Sequence, residues 1–473
     1  MTIKWGDITV GDVISPIGGE LIYGNPGLPI AGLSTDSRDI LPGRIFFALK
    51  GEKFDGYDFA LKAIDQGASC IVVNKGHRIE MPSGANAAVI TVQDTLKALG
   101  DLASWWRRQF NVRVAVITGS AGKTTTKEMT AHILELTFKT LKNKGNLNNL
   151  IGLPLTVFQL EEDVRKLVLE MGMNRPGEIG RLTEIADPDV GLITNVGKAH
   201  LEGLGDIAGV ARAKTELLEV ISSRGRIILN GDDALLMKEA SRFKRDIITF
   251  GLRPENDIRA EKIRDLGKDG ISFELRYKGN AAQALIPVPG LHNLLNALAA
   301  ASIALSMEEP FNNIAIGLNR YDGLKGRFKS LLLANNVTLV DDTYNSNPSS
   351  LKAALNSVKE MAVNGKRLIV GLGEMMELGD ETVQAHIDAG TMAADIGATW
   401  FFAIGDHAGE MTTGAIKRGL ASERAVEVET HEEMIKRIGD ILNPGDIILL
   451  KGSRRMGLES VARGLEERWS KEV

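Results

Sequence analysis

The chain has 473 residues, 44% of them hydrophobic and 25% charged, and its formal net charge is −5. Its length predicts about three compact domains, and charges of mixed sign leave no basic surface for nucleic acid. The single cysteine, Cys70, excludes a disulfide framework and a cysteine metal site. Residues 1–7 lack an apolar signal core, and the most apolar stretch, residues 297–307, is short and typical of a packed helix. We therefore expect a cytoplasmic protein with no nucleic acid partner and no membrane insertion.

Residues 1–94 alternate short apolar segments with turn signals. Residues 45–49 and 69–73 are predicted strands on either side of a helical segment at residues 60–64. This order predicts a small α/β domain that ends at residue 94. A helix from Asp94 to Arg107, with Leu99 and Leu102 on its apolar side, leads into the next domain.

Residues 112–127 form a predicted buried strand, a glycine loop and the start of a helix. Glycine at positions 119 and 122 lets the backbone N–H groups point inward. Lys123 adds a positive charge, and Thr124 offers a hydroxyl to a magnesium ion. The strict phosphate-loop pattern has a glycine five residues before Gly122, where this chain has Ile117. An ordinary glycine-rich turn is the alternative, but the order of strand, loop and helix favours a site for ATP or GTP. The loop consists of Gly119, Ser120, Ala121, Gly122, Lys123, Thr124 and Thr125.

Residues 95–323 continue with strands that alternate with helical segments. The predicted strands are residues 167–169, 192–194, 227–229 and 247–250. This order predicts a mainly parallel sheet that carries the phosphate loop. Residues 271–277 alternate apolar and polar side chains before a turn at residues 278–280, which predicts a hairpin that interrupts the sheet.

Residues 324–473 contain four predicted strands that each end in small or polar residues, namely residues 339–342, 368–371, 401–405 and 447–451. Ligands of open α/β sheets bind at such strand ends, so a second doubly wound domain is expected. The predicted fold class is therefore α/β with three domains: a small α/β N-terminal domain, a central phosphate-loop ATPase domain with a parallel sheet, and a Rossmann-like C-terminal domain.

Several polar residues are candidates for the site, although each also has a structural interpretation. Glu170 ends a predicted strand, where a carboxylate can reach a phosphate-bound Mg²⁺ or simply face solvent. His200 can bind a second metal ion or be a structural histidine. Lys214 lies on a helical segment, where a solvated lysine is the default. Asn293 and Asn296 lie at a predicted helix start, where capping alone can explain an asparagine.

Together and in order, these segments resemble the Mur ligases, the ATP-dependent amide-forming enzymes that build the peptide stem of peptidoglycan. The resemblance covers nearly the whole chain. In the centre it rests on residues 119–125, 145–154, 170–172, 195–202, 213–214 and 290–296. Outside the centre it rests on residues 35–38, 42–43, 55–56, 326–328, 341–348 and 451–454.

The resemblance implies a role for each candidate residue. Lys123, His200 and Lys214 correspond to catalytic positions, and Lys214 corresponds to a lysine that is carbamylated in this family. Two Mg²⁺ ions are expected, with Thr124, Glu170, His200 and Lys214 as the metal-binding residues. ATP would be bound by residues 119–125 together with Asn293, Asn296, Arg327 and Asp342. The substrate-binding positions are Ser37, Arg38, Asn146, Asn149, Asn345 and Asn347.

The resemblance also implies the reaction. The γ-phosphate of ATP activates a carboxylate as an acyl phosphate, and an amine then attacks it. Residues 170–179, 345–348 and 371–379 resemble the member that joins D-Ala-D-Ala to UDP-N-acetylmuramoyl-tripeptide. The small departures from the family pattern lie at Leu150, Ser346, Arg455 and Gly457. In this interpretation residues 1–94 bind the UDP-sugar substrate, residues 95–323 bind ATP and residues 324–473 bind D-Ala-D-Ala. We expect a monomer whose C-terminal domain closes before catalysis.

Two alternatives remain open at this stage. A sister amide ligase, such as the member that adds diaminopimelate or lysine, or a folylpolyglutamate synthase, would use the same ATP chemistry. When it adds diaminopimelate, the first of these carries an Asp-Asn-Pro-Arg loop where this chain has Asp406-His407-Ala408. A non-enzymatic nucleotide switch is the alternative from a different class. The identity of the third stem-peptide residue is not encoded in a recognisable motif.

Overall fold

The structure is a computed structural model that describes residues 4–51, 54–77, 79–362 and 365–469. Its N-terminal region contains a five-stranded sheet in the order β2-β7-β6-β5-β4 and a two-stranded ladder of β1 and β3. The strands are β1 (Ile8–Thr9), β2 (Glu20–Tyr23), β3 (Pro29–Ile30), β4 (Gly32–Ser34), β5 (Arg44–Phe47), β6 (Cys70–Asn74) and β7 (Ala88–Val92). The helices are α1 (Val10–Ile14) and α2 (Ala60–Asp65), so the predicted strand, helix and strand are confirmed.

Helix α3 (Thr95–Arg108) joins this region to the centre of the molecule. Asp94 caps it by accepting hydrogen bonds from the backbone N–H groups of the first turn, which explains why the helix begins there. Leu99, Leu102 and Trp106 are buried. The Trp106 ring stacks on Trp5 with 4.2 Å between ring centroids. The predicted helix is confirmed, and it lies between the N-terminal and central regions.

The central region contains a nine-stranded sheet in the order β16-β15-β14-β13-β12-β11-β8-β10-β9. The strands are β8 (Arg113–Thr118), β9 (Thr140–Lys142), β10 (Lys166–Glu170), β11 (Val190–Ile193), β12 (Arg226–Asn230), β13 (Ile247–Gly251), β14 (Ile258–Asp265), β15 (Ile271–Tyr277) and β16 (Asn280–Ile286). The strands from β8 to β14 pair in parallel, while β14, β15 and β16 pair antiparallel. The predicted hairpin exists, but the expectation that it interrupts the sheet is wrong. It extends one edge of the sheet through β14, a strand that was not predicted.

Helices cover both faces of this sheet. They are α4 (Lys123–Leu134), α5 (Gly152–Val157), α6 (Glu178–Ala186), α7 (Leu201–Leu204), α8 (Ile207–Val220), α9 (Ala234–Ala240), α10 (Leu291–Ser306) and α11 (Phe311–Asn319). Successive residues of a strand point to opposite faces. Accordingly, Val114 and Val116 belong to one hydrophobic cluster, whereas Ala115 and Ile117 belong to the other. Burial on both faces explains the continuous apolar run of β8.

The C-terminal region contains a six-stranded sheet in the order β17-β18-β22-β19-β20-β21. The strands are β17 (Lys329–Leu332), β18 (Thr338–Asp342), β19 (Leu368–Gly373), β20 (Trp400–Ile404), β21 (Ala425–Val428) and β22 (Ile447–Lys451). Its helices are α12 (Pro348–Met361), α13 (Thr382–Asp395), α14 (Ala408–Lys417), α15 (His431–Ile441) and α16 (Glu459–Arg468). The four predicted strands are confirmed. The expected count was too low, because both edge strands, β17 and β21, are short and partly exposed.

Together these sheets give the predicted mixed α/β fold. Strand β8 lies between β10 and β11, so the chain continues to one side of β8 and then to the other. Such a switch point opens a crevice at the carboxyl ends of the strands. The phosphate loop follows β8 and therefore lies at this crevice. In the ranges that the structure describes, each helix falls short of the length and apolar character needed to cross a membrane.

Candidate active site

The phosphate loop is held in place by the segment that follows β11. The side-chain Oδ1 of Asn195 accepts a hydrogen bond from the backbone N–H of Ala121 at 2.9 Å. The Ser120 hydroxyl donates to the carbonyl of Gly197, also at 2.9 Å. Thr194 donates to the carbonyl of Ala121 at 2.6 Å. These contacts fix the backbone of the loop before any ligand binds.

Two glycines are required by this packing. Gly119 has φ +150°, and a Cβ atom there would lie 1.9 Å from Oγ1 of Thr194. Gly122 has φ +83°, and a Cβ atom there would lie 2.2 Å from Oδ1 of Asn296. Both distances are far shorter than a van der Waals contact. Glycine at these positions thus permits a backbone conformation and a close approach that other residues do not allow.

Lys123 begins helix α4 and is folded back over the loop. Its Nζ donates to the carbonyl oxygen of Gly119 at 2.6 Å. Burial lowers the pKa of Lys123, while the nearby carboxylates of Glu170 and Glu377 act in the opposite direction. A phosphate group would supply the negative charge that favours the ammonium form.

Glu170 lies at the carboxyl end of β10 and is buried. Asn148 donates to its Oε1 at 2.9 Å, and the backbone N–H of Glu170 donates to Asn143 at 2.9 Å. The other carboxylate oxygen, Oε2, is buried without a hydrogen-bond partner among the described residues. A buried, unpaired carboxylate oxygen is costly unless a cation is bound. This arrangement fits a Mg²⁺ site and argues against the interpretation of Glu170 as a solvated strand end.

His200 lies just before helix α7, and its Nδ1 is 2.6 Å from Oε2 of Glu377. Glu377 follows β19, so this contact joins the central and C-terminal regions. This close contact with His200 is the chief cause that lowers the pKa of Glu377. Both residues have positive φ angles, +55° and +63°. A second structural element thus orients the imidazole that the sequence suggested as a metal ligand.

Lys214 is buried on helix α8 and is 1% exposed. Burial, together with the charge of Lys123, lowers its pKa well below the ordinary value. Among the described residues no carboxylate lies within ion-pair distance of its ammonium group. The default interpretation of a solvated surface lysine is therefore wrong.

Two cavities meet at the phosphate loop. The first has an open volume of ≈ 690 Å³, and its walls come from the loop, the start of α10 and the C-terminal region. Asn293 and Asn296 are buried on this wall. The Nδ2 group of Asn293 donates to the carbonyl of Pro289 at 2.8 Å. The predicted nucleotide residues on this cavity are Ala121, Gly122, Thr125, Asn293, Asn296, Arg327 and Asp342.

The C-terminal region completes this cavity. Nη2 of Arg327 donates to Oγ1 of Thr124 at 2.8 Å, and the guanidinium carbon is 4.0 Å from the centre of the Tyr344 ring. Asp342 forms an ion pair with Lys451 at 2.7 Å. Burial lowers the pKa of Lys451, while Asp342 acts against it. Both residues of the predicted pair, Arg327 and Asp342, therefore lie on the wall of this cavity.

The second cavity is larger, with an open volume of ≈ 1550 Å³. It shares Ala121, Gly122 and Arg327 with the first cavity and is lined by both the central and C-terminal regions. The predicted site residues on its wall are Ser120, Ala121, Gly122, Lys123, Thr124, Asn146, Asn149, Glu170, His200, Arg327, Asn345 and Asn347. Asn347 also caps helix α12, and its Nδ2 group donates to the carbonyl of Ser120 at 3.3 Å.

Some predicted residues lie elsewhere. Ser37 and Arg38 do not line either cavity, and Arg38 is paired with Asp36 at the surface. Lys214 is buried beyond the walls of both cavities. Sequence reasoning assigned no role to Glu377 or Arg454, which the structure places on the larger cavity. Both follow the carboxyl end of a predicted strand, and this is the signal that could have identified them.

Comparisons with known proteins agree with this architecture. Residues 117–304 match the Mur ligase middle domain, residues 326–454 match the Mur ligase glutamate ligase domain, and residues 29–107 match the Mur ligase family catalytic domain. The chain belongs to the Mur ligase family, as its resemblance predicted.

Full-length relatives narrow the similarity within the family. UDP-N-acetylmuramoyl-tripeptide–D-alanyl-D-alanine ligase of Escherichia coli (strain K12) is 35% identical over 464 residues, which cover 97% of this chain and 98% of that protein. The crystal structure of MurF from Acinetobacter baumannii aligns with a TM-score of 0.87 at 33% identity, covering 97% of this chain and 99% of that one. MurF ligase from Thermotoga maritima, solved in complex with ADP, aligns with a TM-score of 0.80 at 26% identity. The alignment covers 92% of this chain and 97% of that one.

Proposed function

We propose that this chain is an ATP-dependent ligase that joins D-Ala-D-Ala to UDP-N-acetylmuramoyl-tripeptide in cytoplasmic peptidoglycan precursor synthesis. Relatives of that name cover almost its whole length. The structural observation that carries the proposal is the contact of Arg327 with Thr124 at 2.8 Å. This contact brings the C-terminal region against the phosphate loop, so that two cavities meet at the position where a phosphate would be transferred.

The chemistry follows from the two cavities. ATP occupies the smaller cavity, with its phosphates on the loop, and the carboxylate of the tripeptide reaches the loop from the larger cavity. The carboxylate oxygen attacks the γ-phosphorus, the bond to ADP breaks, and an acyl phosphate forms. The amine of D-Ala-D-Ala then attacks the acyl carbon, inorganic phosphate leaves, and the nitrogen loses its extra proton to solvent. Lys123 and the loop N–H groups stabilise the negative charge of the transferred phosphoryl group.

Two Mg²⁺ ions would be held by Thr124, Glu170, His200 and Lys214. The unpaired Oε2 of Glu170 supports this assignment. No group of three His, Cys, Asp or Glu residues in the described part of the chain is arranged to bind a metal ion by itself. A hydroxyl and a modified lysine would complete the set of ligands. When bound, magnesium neutralises the phosphate charges and orients them for in-line transfer.

We propose that Lys214 is carbamylated. Burial lowers the pKa of Lys214, which increases the neutral fraction of its ε-amine, and a neutral amine is the nucleophile that adds to CO₂. The product carries an anionic carboxylate and releases one proton. This converts a cation, which would repel Mg²⁺, into an oxygen donor of the kind that Mg²⁺ prefers.

The proposed division of labour has three parts. Residues 1–94 bind the UDP sugar through Ser37 and Arg38, residues 95–323 bind ATP, and residues 324–473 bind D-Ala-D-Ala through Asn345 and Asn347. Asn146 and Asn149 contact the peptide stem from the central region. We propose that the protein acts as a monomer, because each of these residues belongs to the same chain.

An acceptor panel tests the function. ADP release is measured with UDP-N-acetylmuramoyl-tripeptide and each of D-Ala-D-Ala, single D-Ala, L-Ala-L-Ala and diaminopimelate, and again with UDP-N-acetylmuramoyl-dipeptide. Only the tripeptide with D-Ala-D-Ala is expected to react efficiently, because a site that pairs polar groups strongly rejects ligands that lack them. Addition of diaminopimelate or lysine to the dipeptide would instead identify the preceding ligase. Phosphate release without either organic substrate would indicate a nucleotide switch.

A further inference from the structure

Three neighbouring strands of the C-terminal sheet present side chains to the larger cavity. Strand β22 pairs with β18 on one side and with β19 on the other. Tyr344 follows β18, Arg454 follows β22 and Glu377 follows β19, and all three line the cavity. The carboxyl ends of parallel strands meet at one edge of a sheet. A carboxylate and a guanidinium thus lie on adjacent loops of the same wall.

The other carboxylates of this cavity already have partners or a separate role. Glu170 accepts a hydrogen bond from Asn148, and its free oxygen is buried in the candidate metal site. Glu178 accepts from the backbone N–H groups of Asn174 at 2.6 Å and Arg175 at 3.2 Å. Both of these bonds are made to Oε2 of Glu178, which lies on helix α6 of the central region. Glu377 lies in the C-terminal region, on the same sheet edge as Arg454, and among the described residues only its Oε2 has a partner, His200. Its Oε1 is available to a ligand.

The cations of the cavity can be separated in the same way. Lys123 lies on the phosphate loop, and Arg327 is bonded to Thr124. The remaining guanidinium, Arg454, has its carbon 5.3 Å from the centre of the Tyr344 ring and is paired with Glu459 at 2.9 Å. The Arg454 side chain is 60% exposed. An exposed ion pair of this kind is weak, and a guanidinium has five N–H donors, so Arg454 can also bind a ligand carboxylate.

Building on the ligase function proposed above, we propose that Glu377 and Arg454 form the subsite for the D-Ala-D-Ala zwitterion. Glu377 binds its ammonium group and Arg454 binds its carboxylate. This polarity places the amino end beside His200, which lines the same cavity as Lys123, where the acyl phosphate forms in the proposed reaction. The opposite polarity would place the ligand carboxylate beside Glu377, where like charges repel.

The role of Arg454 is tested by removing either its guanidinium group or the C-terminal carboxylate charge of D-Ala-D-Ala. The ratio of kcat/KM for D-Ala-D-Ala to that for its C-terminal carboxamide is measured in the parent enzyme, Arg454→Met and Arg455→Met. The parent is expected to prefer the acid by about 10- to 100-fold, which is the size of a charge-assisted hydrogen bond. In Arg454→Met the preference should fall to about threefold or less. Arg455 is an exposed neighbour that does not line the cavity, so Arg455→Met should keep the parent ratio.

The role of Glu377 is tested by comparing it with Glu381, since both carboxylates contact the central region from the C-terminal region. Glu377→Gln should raise KM for D-Ala-D-Ala about 10-fold or more, while KM for ATP and for the UDP substrate should change less than about twofold. Glu377→Asp, which keeps the charge, should recover part of the loss. Glu381 forms an ion pair with Lys198 at 2.7 Å and does not line the cavity. Glu381→Gln should therefore leave all three KM values near those of the parent.

The outcomes separate this inference from the function on which it rests. If the parent enzyme ligates D-Ala-D-Ala but Arg454→Met keeps the full preference for the acid, the assignment of the carboxylate is overturned. Equal KM changes for all three substrates in Glu377→Gln would overturn the assignment of the ammonium. A parent enzyme that does not ligate D-Ala-D-Ala at all would instead reject the proposed function. Binding of ADP by each variant checks that it is folded.

Discussion

In the proposed mechanism, Lys123 is the residue on which the phosphate chemistry depends most directly. Lys123→Ala should lower turnover about 10²-fold or more, a loss of about 3 kcal/mol of transition-state stabilisation. ADP release under saturating substrates measures this effect. Lys144→Ala, at an exposed lysine in the same region, is the control and should behave like the parent. A folded Lys123→Ala enzyme with nearly normal turnover would remove the loop from the mechanism.

Lys214 provides a test of its own modification. Lys214→Ala should be almost inactive, and short carboxylates such as acetate should partly restore its activity because they can occupy the space of the missing carbamate. The same carboxylates should not stimulate the parent enzyme. Activity is also measured in buffer depleted of CO₂, where the parent should lose activity and regain it when bicarbonate is added. Full activity without CO₂ would contradict carbamylation.

His292 links stability to pH. Burial, together with the charge of Lys451, lowers its pKa from 6.5 to about 4. The unfolded chain therefore binds a proton before the folded protein does as the pH falls. The contribution of neutral His292 to the free energy of unfolding is nearly complete above about pH 6.5. About 2 kcal/mol of that contribution is lost by pH 5. Urea unfolding at pH 7 and pH 5 should show a smaller difference in His292→Gln than in the parent, and an equal difference would reject this explanation.

At the scale of elements, we expect the unit formed by β8, the loop and α4 to bind nucleotide well only when glycine occupies position 122. Gly122→Ala adds backbone strain and a Cβ atom 2.2 Å from Asn296, so we expect the affinity for ADP to fall about 10-fold or more. Gly279 has nearly the same φ, +82°, but a Cβ atom at that position would have no neighbouring atoms within 4 Å. Gly279→Ala is therefore a control for strain alone. Calorimetric titration measures the ADP affinity of both variants. Equal losses of affinity would contradict the importance of the close packing between position 122 and Asn296.

Three strands that sequence patterns did not reveal, β14, β17 and β21, share a physical property. Strand β14 has exposed residues from Lys262 to Asp265 and a bulge between Glu261 and Arg264. Edge strands β17 and β21 are short and only partly buried. Hydrophobic periodicity arises from burial, so a strand that is barely buried leaves a weak pattern. The buried strands β8, β10 and β22 were predicted because their apolar runs are unambiguous.

At the scale of the whole molecule, the two outer regions are attached in different ways. Val10 and Ile90 of the N-terminal region share one hydrophobic cluster with Leu102 and Leu153. The C-terminal region has hydrophobic clusters of its own, and it is joined to the centre by polar contacts such as Arg327 to Thr124. Polar contacts exchange readily with water, so the C-terminal region is the part expected to move during the catalytic cycle.

Two interregional contacts should differ in importance. Arg327→Ala removes a partly buried contact at the phosphate loop and should lower kcat/KM for ATP at least about 10-fold. Lys198→Ala removes the exposed ion pair with Glu381 and should change kcat/KM for ATP less than about threefold. Steady-state kinetics measures both, and X-ray scattering with bound nucleotide should show a more expanded Arg327→Ala enzyme. Equal kinetic effects would contradict the assigned role of Arg327.

The sequence by itself determined the elements whose signals are local. The glycine loop after β8, the apolar runs of the buried strands, and the acidic end of β10 are read from neighbouring residues, because backbone conformation and burial on one element depend mainly on short-range chemistry. Family resemblance added roles for Lys214 and Asn296 that local patterns could not supply, since each has an ordinary structural interpretation.

The tertiary structure alone decided which distant side chains meet. Arg327 and Thr124 are 203 residues apart in the chain yet form a hydrogen bond, and Glu377 reaches His200 from another sheet. The burial of Lys214, which lowers its pKa, likewise depends on packing around α8. Such contacts are fixed by how whole sheets and helices pack together. No local pattern encodes that geometry, because the partners belong to segments that only folding brings into contact.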